Sequence, residues 1–100
     1  MVKHIVMWKV RESADPSQGP VNAMRVGRAL EALRGRIPGL LKLEVGIAGT
    51  PGEAESEIVL YSEFANREAL EGYKVHPTHL AVIPIVRSAC SDRRCVDYET

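Results

Sequence analysis

The spacing of apolar residues changes repeatedly along this chain, and each change marks an element. Lys3 to Val10 (KHIVMWKV) is rich in β-branched and aromatic residues and reads as a strand, followed by a polar, turn-forming loop from Arg11 to Pro20. Alternation puts His4, Val6, Trp8 and Val10 on one face and Ile5 and Met7 on the other, so the strand is apolar on both sides and belongs in the middle of a sheet. From Val21 to Arg34 the spacing becomes helical: Ala23, Val26, Leu30 and Leu33 recur three and four apart, continuing to Ile37, with Arg25, Arg28, Glu31 and Arg34 outside. The helix stops at Gly35, and Pro38-Gly39 forbids its continuation. A second strand follows, with Leu41, Leu43, Val45 and Ile47 alternating with Lys42, Glu44 and Gly46.

Gly49 to Glu55, with Pro51-Gly52 at its centre, reads as the turn of a hairpin whose return strand is Glu57 to Phe64. Asn66 suits a helix N-cap, and Ala69, Leu70 and Tyr73 share a face that ends near His76-Pro77, since a residue before proline resists the helical region. A new helical turn starts at Pro77 and carries Thr78 to Val86, with Pro84 as its break, before a last strand over Arg94 to Tyr98. Strand, helix, strand, strand, helix, strand is the ferredoxin-like split βαβ order, an α+β fold with a four-stranded antiparallel sheet and its helices on one face. The other face, apolar along the first strand, then needs a cover, most economically a second copy of the chain.

Composition narrows the options. One domain over residues 1–100 is expected at this length, and 13 basic against 13 acidic residues give no electrostatic footprint for nucleic acid or an anionic membrane. Met1 to Val10 reads as a strand rather than a signal peptide, no window suits a membrane span, and a reducing, cytoplasmic location is expected. Cys90 and Cys95 are two potential ligands where zinc wants four, so they are expected to be structural thiols without a disulfide.

Four segments together carry a resemblance: KHIVMWKV, Ile37-Pro38-Gly39 followed by Leu41 to Gly46, Tyr73-Lys74-Val75-His76-Pro77-Thr78-His79, and Val96-Asp97-Tyr98. In that order and spacing, over nearly the whole chain, they resemble the stress-responsive A/B barrel (Dabb) family. The resemblance implies a dimeric α+β barrel of two face-to-face sheets, with a cleft in each subunit between helices and sheet.

All three histidines and one of the three tyrosines, His4, Tyr73, His76 and His79, are the candidates for chemistry. A neutral imidazole can remove a proton α to a carbonyl, and a phenol can hydrogen-bond the developing enolate, roles that His79 and Tyr73 fit. The plant polyketide cyclase of the family is similar at this block, which implies Tyr73 and His79 as catalytic residues, with His4 and Trp8 lining the cleft. Val6 shares the face of His4 and Trp8. His76 is placed with them as pocket-lining, although its position before Pro77 also suits a helix cap. His76 and His79 at a spacing of three, with no adjacent acid, make a poor metal pair, and neither metal nor organic cofactor is expected. The cyclase's aromatic-rich first helix has no counterpart in Met24 to Gly27, so its substrate does not carry over. Three readings remain: a cyclase or isomerase acting on a polyketide-like carbonyl compound, a non-enzymatic stress-related ligand-binding or structural oligomer, and a cofactor-free monooxygenase, for which five aromatic residues are few.

Overall fold

The computed structural model describes residues 1–12, 15, 17–48 and 56–100. Its elements are β1 (Val2–Val10), α1 (Gln18–Glu31), β2 (Leu40–Ile47), β3 (Ile58–Phe64), α2 (Arg67–Val75), α3 (Pro77–Ala89) and β4 (Cys90–Glu99). The strands form one antiparallel sheet in the order β2-β3-β1-β4, so the fold is ferredoxin-like, with the second crossover divided into two helices. The hairpin turn expected over Gly49 to Glu55 lies outside the described residues.

The three helices cover the face that carries Val2, Val6, Trp8 and Val10 of β1. Ile58, Leu60 and Phe64 of β3 supply the neighbouring row, and Val26 and Leu30 of α1, with Leu33 just beyond its end, close over both with at most 2% of their surface exposed. These are the helical positions that the spacing of three and four singles out. Asn66 caps α2 as expected, its Oδ1 accepting from the Ala69 N–H at 2.8 Å.

Four boundaries differ from the sequence expectation, each for a local reason. α1 begins at Gln18, not Val21, because Pro20 fits the first helical turn, where an N–H would have no intrahelical partner. Asp15 prepares this start by accepting from the Ser17 N–H and hydroxyl at 3.0 and 2.7 Å. α3 runs through Pro84 to Ala89 instead of breaking there: Pro84 is exposed, and Val82 and Ala89 on either side of it are anchored in the core. β2 has a register irregularity between Leu40 and Lys42, so Leu41, expected on the core face, is 59% exposed while Leu40 packs against the core. β4 extends back to Cys90 and pairs with β1 almost along its whole length.

The uncovered face presents Ile5 and Met7 of β1, Val59 and Tyr61 of β3, and Val96 and Tyr98 of β4. None of the six is fully buried. Among the described residues, no helix is long and apolar enough to cross a membrane.

The chain enters β2 through Gly39, whose φ is +78° and whose missing Cβ would lie 2.5 Å from the Ala69 Cβ. A Gly39→Ala substitution adds left-handed backbone strain to a steric clash, and should lower the unfolding free energy in a urea titration by at least about 2 kcal/mol. A loss below about 0.5 kcal/mol would show that this approach is slack.

Candidate functional site

Two parts of the chain, remote in sequence, build the site. The first is the pairing of β1 with β4, whose register sets His4 beside Asp97, Val6 beside Cys95 and Trp8 beside Arg93, all on the helix-covered face. His4 is 4% exposed. Its Nδ1 lies 2.5 Å from Asp97 Oδ1, and because a carboxylate accepts, Nδ1 carries the proton and Nε2 the lone pair. Among the described residues nothing hydrogen-bonds that Nε2. The buried Ser62 hydroxyl donates to the His4 carbonyl at 2.7 Å, which fixes the backbone beneath the ring.

The second part is the junction of α2 and α3. His76 is extended (φ −67°, ψ 135°), so α2 ends directly after Val75 and α3 starts at Pro77. Tyr73 in the last turn of one helix and His79 in the first turn of the next therefore meet, their ring centroids 4.2 Å apart. His79 Nδ1 donates to the Lys74 carbonyl at 3.2 Å, again leaving Nε2 as the basic nitrogen. The Tyr73 ring lies 5.8 Å from that of His4, and Phe64 supports both from below at 5.2 and 6.2 Å. No hydrogen bond engages the Tyr73 hydroxyl among the described residues.

Burial governs the protonation of all three. It holds His4 below the ordinary imidazole value, outweighing the Asp97 hydrogen bond that acts the other way. It lowers His79 likewise against its hydrogen bond to the Lys74 carbonyl, and pushes the Tyr73 phenol up to about 12. Asp97 shows the opposite balance: burial would raise it, but the hydrogen bond from His4 prevails and keeps it below the usual carboxylate value. Near neutral pH the site therefore holds two uncharged imidazoles, an un-ionised phenol and one carboxylate.

The two imidazoles and the phenol face a cavity of about 280 Å³ between the helices and the sheet. His4, Tyr73 and His79 form its polar end. Val6, Trp8 and Leu60 of the sheet and Leu30, Val82, Ile83 and Val86 of the helices form its apolar wall, with Arg87 and Arg93 at the mouth. His76, expected among the lining residues, is not one of them. Its ring turns back onto the junction, where Nδ1 accepts from the Thr78 N–H at 3.1 Å and caps α3.

Asp97, Cys95 and Arg93 were not assigned to the site from sequence. Residues 93, 95 and 97 alternate along a strand and so share a face, but their partners on β1 lie at the other end of the chain, a pairing that no local pattern records. Cys95, expected to be a structural thiol, lies beside this pair: its Sγ is 3.8 Å from His4 Nδ1 and donates to Asp97 Oδ1 at 3.6 Å. Cys90 is buried, and both thiols are free. The donor atoms of His4, Cys95 and Asp97 lie within 4.8 Å of one another. They are the described residues best placed to hold a metal ion, although one would have to displace the proton shared by His4 and Asp97 and that of a thiol whose ionisation burial already opposes.

The family model described as stress responsive A/B barrel domain matches residues 2–100. A dimeric protein of unknown function with a ferredoxin-like fold from Bacteroides fragilis is 39% identical and superposes with a TM-score of 0.85, over 99% of this chain and 95% of that one. A dimeric ferredoxin-like protein of unknown function from Thermobifida fusca is 20% identical, with a TM-score of 0.81 over 99% and 90%. An antibiotic biosynthesis monooxygenase shares the fold at 16% identity, with a TM-score of 0.75 over 100% and 98%. No curated protein matches the chain.

The histidines make stability pH-dependent. Both are held below their ordinary value of 6.5 in the folded state, so the unfolded chain takes up protons first as pH falls. Stability is thus complete above about pH 7 and declines as pH drops through the unfolded value. The melting temperature should be lower at pH 5.5 than at pH 7.5. A His4→Asn variant, which keeps a donor toward Asp97 but cannot titrate, should show a smaller fall; an equal fall would mean His4 is not held neutral.

Proposed function

This chain belongs to the stress-responsive A/B barrel domain family, and we propose that it is a homodimeric enzyme whose cavity enolises a small carbonyl compound, in the manner of a cyclase or isomerase. The observation that carries this reading is the meeting of two imidazole Nε2 lone pairs and one uncommitted phenol at the end of an apolar cavity. His79, half-buried and stacked on Tyr73, takes the proton α to the carbonyl at Nε2. Tyr73 donates its hydroxyl hydrogen bond to the oxygen that becomes the enolate, and its raised pKa keeps that proton in place. His4, oriented by Asp97, offers a second acceptor, and the carboxylate would stabilise any positive charge that develops on its ring. Returning the proton to another carbon gives isomerisation; attack of the enolate on a second carbonyl of the same molecule gives ring closure. Both balance without an oxidant.

The monooxygenase reading has less support. That neighbour shares the fold only, and Trp8 and Tyr73 are the only aromatic side chains lining this cavity among the described residues.

The dimer is inferred from the uncovered sheet face, where Met7, Val96 and Tyr98 are 39, 50 and 42% exposed. The Bacteroides fragilis and Thermobifida fusca relatives are dimeric. A second sheet packed on these residues would close the barrel. Free thiols at Cys90 and Cys95 suit the reducing cytoplasm we assign to it.

Enolisation can be read without knowing the substrate, as deuterium uptake by simple ketones in D2O followed by NMR. The wild-type protein should accelerate exchange. His79→Ala and Tyr73→Phe should each reduce that acceleration by on the order of 100-fold. No acceleration by the wild-type protein, or full rates in His79→Ala, would reject the mechanism and favour a non-enzymatic ligand-binding oligomer. Separately, Val96→Asp on the open face should convert a dimer to a monomer in light scattering, and a monomeric wild-type protein would reject the sheet-face dimer.

A further inference from the structure

Enolisation as described uses His4, Asp97, Tyr73 and His79, but it leaves two cations at the cavity mouth without a task. Arg87 is on the exposed side of α3 and Arg93 is on β4, and both line the cavity. Neither guanidinium has a carboxylate within ion-pair distance among the described residues. The acids nearby are engaged elsewhere. Asp97 holds His4; Asp92 accepts from the Arg93 backbone N–H at 2.9 Å and pairs with Arg94 at 3.6 Å. Of Arg87, the carbonyl accepts from Arg11, which leaves its guanidinium uncommitted. Lys74, the other cation whose field reaches His4, is paired with Glu71 at 3.2 Å.

The charge of Arg93 is felt across the polar end of the cavity. It opposes protonation of His4 and His79, and it favours ionisation of Tyr73 and Cys95. In a chain of zero formal net charge, the cavity lining carries two arginines and no carboxylate, and counting Asp97 behind His4 still leaves an excess of one positive charge. Behind them the wall is aliphatic apart from Trp8. Paired guanidinium forks at the rim of an apolar cavity suit a planar carboxylate better than a bulky or multiply charged group.

We propose that the ligand of this cavity is a small monocarboxylate with an apolar body, its carboxylate held by Arg93 and Arg87 and its body lying along Val6, Trp8 and Val86 toward Tyr73 and His79. This rests on the cavity being a ligand site, as the preceding reading holds, and it names the class of molecule that enters. The carboxylate is the handle and the carbonyl is the reacting group. The arginines select and orient the ligand, as positioning residues, from the rim of the cavity.

The test compares matched ligands on the full-length protein labelled with ¹⁵N: 4-phenylbutyrate, its neutral analogue 4-phenylbutan-1-ol, and phenethyl phosphate, titrated by NMR. The carboxylate should shift amides of α3 and β1 around the cavity and bind at least about tenfold tighter than the alcohol. Arg87→Ala/Arg93→Ala should abolish that preference without weakening the alcohol, and Arg93→Lys should keep only part of it. If the alcohol binds as tightly as the carboxylate, or if the double variant keeps the preference, the anion proposal is overturned while the cavity remains a ligand site. Tighter binding of the phosphate overturns the choice of carboxylate. If no compound shifts a cavity resonance, both this proposal and the ligand-site reading fall.

Discussion

The extended backbone of His76 is the constraint on which the site depends. Proline at position 77 removes the helical conformation from the residue before it, so α2 cannot run on into α3. Ending one helix and starting another leaves backbone acceptors at the first terminus and donors at the second. Two histidines satisfy them: His79 Nδ1 donates to the Lys74 carbonyl, and His76 Nδ1 accepts from the Thr78 N–H. The junction is therefore held by imidazoles, and the same bonds decide which nitrogen of His79 stays basic. A structural and a catalytic role for His79 are not alternatives, because the capping bond uses one nitrogen and leaves the other for a ligand.

The opposite wall solves a different problem. A histidine in the middle of a central strand lies under three helices, where an unpaired polar ring would be costly. Asp97, on the neighbouring strand and itself less buried, meets that cost with one hydrogen bond and settles the tautomer. The balance is uneven, since burial still dominates and holds His4 neutral. It acts on Asp97 as a hydrogen-bond donor rather than as a cation, so a carboxylate whose charge is only partly answered sits behind the imidazole. The Cys95 thiol and the charge of Lys74 also favour the ionised form of Asp97.

Periodicity made most of the fold legible. Alternation assigned His4, Val6 and Trp8 to the covered face, and the helical spacing of Ala23, Val26, Leu30 and Leu33 identified the layer that covers them. It failed where a residue's intrinsic preference was read without its position. Pro20 looked like a loop residue and Pro84 like a break, yet the first lies in a first turn, where proline is harmless, and the second on the exposed side of a helix anchored on both sides of it. Leu41 was assigned to the core face because strict alternation takes no account of a bulge. Site residues close in sequence, such as Tyr73 and His79, could be found together from their spacing. Asp97, Cys95 and Arg93 could not, because their relation to His4 and Trp8 is set by the β1–β4 register, which no local pattern records.

That register also links the two faces of the sheet. Along β4, Arg93, Cys95 and Asp97 lie on the helix-covered face while Arg94, Val96 and Tyr98 lie on the other, and the strand is an edge held on one side only, by β1. An edge strand with no helix on its outer face is the easiest part of a sheet to displace. Any displacement moves Asp97 from His4 and Arg93 from the mouth at once. A second sheet packed on Val96 and Tyr98 would press β4 against β1 and oppose that movement. Assembly and site geometry thus meet in one strand: the same ten residues present Val96 and Tyr98 on the open face and, on the other, set the tautomer of His4 and place Arg93 at the cavity.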